Sequence, residues 1–427
     1  MTTTTAVARH REPLATLLTF ATFVSYFAIA MVEFSVPFVA VATLGANSLV
    51  IATLGICRFA PQVVLARAVA RIVERHDQRT VMLAAELLRV LAFLLAALAI
   101  ALTATAGLGV LILANTALAC ASCLTDVSAQ VMIPAAFRDD ALPGLFSRLQ
   151  IAESTGDALA PFLTGLALGA FGISSTFLVA GALAASACTL LARLPRIRTT
   201  PTPAPVADAV PAGAAAAAEA PTVRRRAGLT AGLRTNLATK PLRITTLWAV
   251  SYNFGQSAIG ALLLVTLLHR TEVTPAVYGL IGSCAVLFAV LGAAVAERLP
   301  ARLRGGLGTS VFGSGAVAAY TLLGVGACVG GGLGLGLILL GFVCDEFCSG
   351  VVLVRVRTFR ARAIAEHDRA IAVAAYRAVN MTAVPAGYAV GGLAGVLFGS
   401  SATLLTVGLL MLAPAALMLS RSIREAT

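Results

Sequence analysis

The chain has 427 residues, 59% of them hydrophobic and 12% charged, with a net charge of +12. A soluble domain carries about 25% charged residues, so a chain this apolar has lipid as its main solvent. Its 31 basic residues, all arginine except Lys240, lie in short gaps between apolar runs; a nucleic-acid reader needs a soluble basic face with interleaved aromatics, and that class is excluded.

A spanning helix needs about 20 apolar residues. Runs of that length fall at 14–43, 48–70, 80–103, 107–130, 146–170, 174–194, 243–268, 275–296, 307–328, 332–354, 371–395 and 400–419. They predict an all-α membrane protein with twelve transmembrane helices in two six-helix bundles, 1–194 and 243–427. Pro61, Pro161 and Pro385 lie inside runs, as membrane helices tolerate. The first run is too long for the apolar core of a signal peptide and has no clear small-residue cleavage site, so it is expected to be a retained helix. Between the bundles, 195–242 begins as a Pro/Ala-rich linker that cannot build a core. It continues as a basic stretch, "VRRRAGLTAGLRTNLATKPLR". That stretch reads as a surface helix on anionic headgroups, or as a docking site for a partner.

The gaps alternate in charge. "TLGANS", "TATAG", "AFGIS", "HRTEVT" and "FGSS" together hold one basic residue, Arg270, while the other set holds nearly all the rest. Positive-inside logic places both termini and the linker on the cytoplasmic side of the plasma (inner) membrane. The eight cysteines lie in apolar runs. Cys120 and Cys123 have CxxC spacing, but with no His nearby and no second pair they read as small apolar residues. No metal or cofactor is expected.

An internal repeat relates the halves. "VERHDQR" at 73–79 matches "AERLPAR" at 296–302, which pairs Glu74, Arg75 and Arg79 with Glu297, Arg298 and Arg302. "APFLTG" at 160–165 resembles "VPAGYAVGG" at 384–392 and places Pro161 on Pro385. Repeated halves of this kind put a binding site at their interface.

The chain resembles the major facilitator superfamily, closest to its drug and siderophore exporters of the proton-antiporter type. The family signature between the second and third helices, roughly Gly-x-x-x-Asp-Arg-x-Gly-Arg-Arg, corresponds to "ARIVERHDQR" at 70–79. "RFAPQ" (58–62), "ELLR" (86–89) and "DVSAQVMIP" (126–134) resemble parts of the second, third and fourth helices. "STGDALAPFLTG" (154–165) resembles the antiporter motif of the fifth, keeping Gly156, Pro161 and Gly165. The resemblance implies alternating access. It also implies a cytoplasmic gate of ion pairs made in one state and broken in the other: Glu74, Arg75 and Arg79, with Asp126 or Glu86 as a third partner, and Glu297, Arg298 and Arg302 as the copy. The alternative is that these charges only set topology.

An ionisable group at bilayer depth costs about 2.5–3.5 kcal/mol or more, so it faces a partner or a watery cavity. Glu33, deep in the first run, is the first candidate for proton coupling; its repeat mate is Gln256. The alternative is a static pair with Arg58, which itself could instead meet an anionic substrate group. Glu153 and Asp157 share one face of the fifth helix and suggest a proton or cation path, or else pair with Arg148 or Arg377. Asp345 and Glu346 are adjacent, so at most one points squarely inward. Trp248, Tyr252, Asn253 and Gln256 form a polar stripe that either lines the substrate cavity, with Arg58 and Arg377, or holds helices together. Phe20, Phe23, Phe27 and Phe34 read as packing or lipid contact.

The leading functional reading is a monomeric secondary transporter, in contact with lipid and protons, that exports a small amphipathic or cationic compound. An importer or uniporter of a polar metabolite is the alternative. A membrane-embedded transferase lacks support: His10, His76, His269 and His367 are scattered, and no phosphate loop is present to use ATP.

Overall fold

The computed structural model describes residues 2–137, 142–194, 229–270, 273–296, 298–303 and 305–425. Its helices are α1 (Thr2–Ala42), α2 (Ser48–Val64), α3 (Ala66–Arg75), α4 (Gln78–Ala99), α5 (Ala104–Ala136), α6 (Leu142–Phe171), α7 (Ile173–Leu191), α8 (Leu229–Leu237), α9 (Lys240–Arg270), α10 (Pro275–Ala296), α11 (Gly306–Val329), α12 (Gly331–Ala363), α13 (Glu366–Phe398), α14 (Ser400–Leu410), α15 (Leu412–Met418) and α16 (Arg421–Arg424). No strand occurs among the described residues.

Among the described residues, ten segments are long and apolar enough to cross a membrane, with α14 and α15 forming one of them. The other two expected runs are α2, which is short, and α6, which carries Arg148, Glu153 and Asp157. The helices thus fall on the twelve apolar runs in order. Two runs are interrupted. The second bends at Leu65 (φ −94, ψ 0), one turn after Pro61. Proline lacks the N–H that would bond the preceding turn, while hydrogen bonding continues through Leu65 N to Pro61 O and Val69 N to Leu65 O, each 2.9 Å. The last breaks at Met411, because Pro414 cannot donate to the carbonyl of Leu410.

The chain divides into two compact units. One takes in Met1–Gly45, Cys57–Ala220 and Pro275–Leu280; the other takes in Ala46–Ile56, Pro221–Thr274 and Ile281–Thr427. In the first, α1 packs on α6 and α7, and α4 packs on α5 and α7. α4 buries Ala92, Ala96 and Ala99, and α7 buries Ala180, Ala184 and Ala187. Such small-residue stripes let membrane helices approach closely and gain dispersion contact where the hydrophobic effect is absent. Phe93 on α4 meets the glycine face of α7 at Gly181.

In the second unit, α11 packs on α12 and α14, and α9 packs on α13. Glycines set these contacts too. A Cβ at Gly324 would lie 2.5 Å from the Leu405 backbone, and one at Gly391 would lie 2.7 Å from that of Ala258.

The basic stretch of the linker departs from the expected headgroup-lying helix where it is described. α8 packs on α13, and Asn236 on α8 is fully buried. Its amide donates to Gly232 O (2.8 Å) and Ala372 O (2.7 Å), and its Oδ1 accepts from Arg360 Nη2. Arg360 Nη1 also donates to Thr246 Oγ1 (3.0 Å), and its guanidinium lies 3.7 Å from the centre of the Tyr376 ring. A buried amide that satisfies several buried groups ties the helix to protein rather than to lipid. Asn236→Ala should leave an Arg360 nitrogen unmet, at about 1–3 kcal/mol, and remove the side-chain link to Ala372. Thermal unfolding of the purified protein should show a clear drop in midpoint; an unchanged midpoint would mean that α8 contributes nothing to the unit's stability.

Candidate functional site

The charged turn between α3 and α4 uses its ions locally. Asp77 caps α4: its Oδ2 accepts from Thr80 N (3.2 Å) and Thr80 Oγ1 (3.0 Å). An acid is therefore present in this turn partly because a helix start needs an acceptor. Arg79 Nη2 donates to Ala192 O, just past the end of α7, where a cation suits the free carbonyls. Glu74 and Arg75 are exposed. The third partners expected for this turn do not join it. Glu86 is taken by Ser25 and Arg89, and Asp126 by Tyr26. In the second half, Arg298 and Arg302 are exposed, and Glu297 lies outside the described residues. Asp77→Ala should cost about 1 kcal/mol, read as a small fall in melting midpoint with transport retained; loss of transport at full stability would assign Asp77 more than a cap.

The intramembrane ions of the first unit gather around one face of α1. Tyr26 and Glu33 are seven residues apart, two helical turns or roughly 10 Å. Glu33 Oε2 lies 2.5 Å from Arg58 Nη2, so the expected pair is present; the side chains are 24% and 36% exposed, which leaves both reachable. Asp157 on α6 lies within electrostatic reach of both. Two turns along α1, Tyr26 Oη donates to Asp126 Oδ1 on α5 (3.1 Å), and Glu153 on α6 lies close to Asp126. Gly156, between Glu153 and Asp157, is what brings α6 in: a Cβ there would sit 3.2 Å from Phe27 N on α1. Neither acid of α6 forms an ion pair with Arg148 among the described residues. On the face of α1 turned to α4, Ser25 Oγ donates to Glu86 Oε1 (2.7 Å) and accepts from Arg89 Nη1 (2.8 Å), while Arg89 and Glu86 pair directly.

In the second unit the polar stripe of α9 mostly joins helices. Trp248 Nε1 donates to Gly313 O on α11 (2.8 Å), and Asn253 Nδ2 donates to Asn380 Oδ1 on α13 (3.1 Å). Trp248, Tyr252 and Tyr320 stack in series, with centroids 5.2 and 5.8 Å apart. Gln256 is exposed. Asp345 on α12 is buried beside this stack, within reach of the Tyr252 and Tyr320 hydroxyls. Glu346 and Arg377 are half-buried. No group of three or more His, Cys, Asp or Glu able to hold a metal occurs among the described residues.

The sequence profile of the Major Facilitator Superfamily matches residues 18–336. The chain belongs to the Major Facilitator Superfamily. No curated protein matches it. Among solved structures it is similar to a bacterial homologue of the iron transporter ferroportin in an inward-facing state (14% identity, TM-score 0.68, covering 96% of this chain and 99% of that one). It is also similar to the nucleoside transporter NupG (13%, TM-score 0.69, 97% and 100%). A third is a bacterial homologue of the human lysosomal transporter Spinster (13%, TM-score 0.66, 96% of each). At these identities the likeness shows the fold. This superfamily member is a transporter, not an enzyme, and a transporter of this type binds a small-molecule substrate.

Four charges went unrecognised as intramembrane ions in the sequence of this transporter: the buried Glu86, Arg89 and Arg360, and the half-buried Asp126. Asp126 sits near the charged end of its run, where position alone suggests a surface; Arg89 lies midway along α4 and is 1% exposed. The i, i+3 spacing of Glu86 and Arg89 was the available signal.

Proposed function

We propose that this protein is a proton-coupled secondary exporter of a small amphipathic or cationic compound, such as a drug, siderophore or secondary metabolite. It works as a monomer by alternating access in the plasma membrane, with both termini cytoplasmic. The observation that carries this reading is the Glu33–Arg58 pair on the inner face of α1, reachable from outside the pair and with Asp157 beside it. An acid that holds an arginine when ionised and releases it when protonated changes the local ion pairing once per proton. A bare structural pair needs neither the exposure nor the second acid. Asp126 and Glu153, with Tyr26 between the helices, extend the acids along the same face. The Pro161 and Gly165 positions of the antiporter-like stretch lie further along α6.

The test is transport in inverted vesicles. Accumulation of a cationic dye should require the protein and an inward-acid proton gradient, and should collapse when a protonophore is added. Equal accumulation with and without the gradient would remove proton coupling and favour a uniporter.

A further inference from the structure

Arg89 is among the largest fully buried side chains of the protein, and its partner Glu86 is buried completely. Yet the pair is only half used. One nitrogen, Nη1, makes every contact: Ser25 Oγ and Glu86 Oε1. Among the described residues, Arg89 Nε and Nη2, and Glu86 Oε2, are buried without a hydrogen-bond partner. A guanidinium in such a place normally spends its fork of donors on two acceptors at once, and an unmet buried donor is costly. A second acid is at hand, because Asp126 on α5 lies within electrostatic reach of Arg89. Its one hydrogen bond shown here is from Tyr26, next in sequence to Ser25. The other ionisable groups facing this cluster are Glu33 and Tyr26 from α1, Cys123 from α5, Glu153 from α6 and Cys188 from α7.

We propose that Arg89 is a positioning residue with two counter-ions. In the structure described it is tied, with Ser25 of α1, to Glu86. When Asp126 is ionised, the unused side of the guanidinium turns to it and α4 is tied to α5 as well as to α1. The charge on Asp126 thereby decides whether α4 holds α5. This rests on the proton-coupled reading above, but it can be tested without transport.

The experiment is a stability cycle on the full-length protein in detergent. If Arg89 is shared, Glu86→Gln and Asp126→Asn each leave it one acid. Both should accumulate as folded protein with modestly lowered melting midpoints. Glu86→Gln/Asp126→Asn leaves a buried cation with neither, and should lose far more than the two single losses combined, or fail to accumulate. Adding Arg89→Gln to that double variant should restore folded protein. Additive losses in the cycle would overturn the proposal, as would failure of Glu86→Gln alone to fold, since either means that Arg89 belongs to one acid. A second readout separates positioning from packing. The pH profile of transport in Glu86→Gln should move by about half a pH unit or more, and an unmoved profile would also count against sharing. If wild-type transport proves independent of the proton gradient while the cycle is more than additive, the exporter reading fails and the shared arginine stands.

Discussion

Glu33→Gln is expected to abolish accumulation against a gradient while leaving downhill exchange of a neutral substrate in place. Uphill transport needs a proton to move with each cycle, and exchange does not. A glutamine keeps the shape of the side chain but can neither take up nor release a proton. The geometry also separates this outcome from simple destabilisation. Truncating a fully buried ion pair costs about 3–5 kcal/mol because the other charge is stranded. Arg58, however, is 36% exposed in its pair and has Asp157 nearby. Glu33→Gln should therefore fold, with Arg58 turning to Asp157. Glu33→Gln/Asp157→Asn removes both acids and should fold poorly, and Arg58→Gln in that background should recover it. Glu33→Asp should keep partial uphill activity. Gradient-driven export at the wild-type rate in Glu33→Gln would sink the assignment and move it to Asp157, then Asp345.

How far such a site could be read from sequence depends on what fixes each contact. The helices were legible because lipid imposes one rule, a long apolar run, on every span. The Glu33–Arg58 pair was legible because both ions stand alone in apolar helices at comparable depth, and each needs the other. That Asp77 caps α4 was not legible, because an acid in a charged turn looks the same whether it caps a helix or pairs with an arginine, and only its contact with Thr80 tells the two apart. The family resemblance placed Asp126 or Glu86 at the gate as a third partner. Their positions along the chain put them near a helix end, but the helices α4 and α5 carry them inward to Ser25, Arg89 and Tyr26. Asn236 could not be found at all: a polar residue in a basic linker looks solvated, and its burial depends on α13 arriving from 136 residues away.

The helix crossing within the first unit gives the second large effect. The start of α10 lies against α6 with glycine on glycine: the Cα atoms of Gly165 and Gly279 each stand 3.0 Å from where the other would carry a Cβ. A Cβ on Gly165 would meet Pro275 O at 2.5 Å, and one on Gly279 would run into Pro161 O. Tyr278 is held from the other side by Phe34 and Phe38 of α1, at ring-centre distances of 4.6 and 5.7 Å. The segment therefore cannot simply slide away. A methyl group that meets backbone oxygen, rather than a flexible side chain, has to be accommodated by moving a whole helix, at about 1–3 kcal/mol. Gly279→Ala should still insert and fold, since that cost is within reach of a protein of this size. Its transport should nevertheless fall by about tenfold or more, because about 1.4 kcal/mol in the balance between two states is a factor of ten. Gly165→Ala should behave alike. Gly169, one turn further along α6, supplies the control, because nothing lies within 4 Å of a Cβ built there, so Gly169→Ala should transport normally. Comparable rates for Gly279→Ala and Gly169→Ala at matched protein levels would show that the tight crossing has no part in transport.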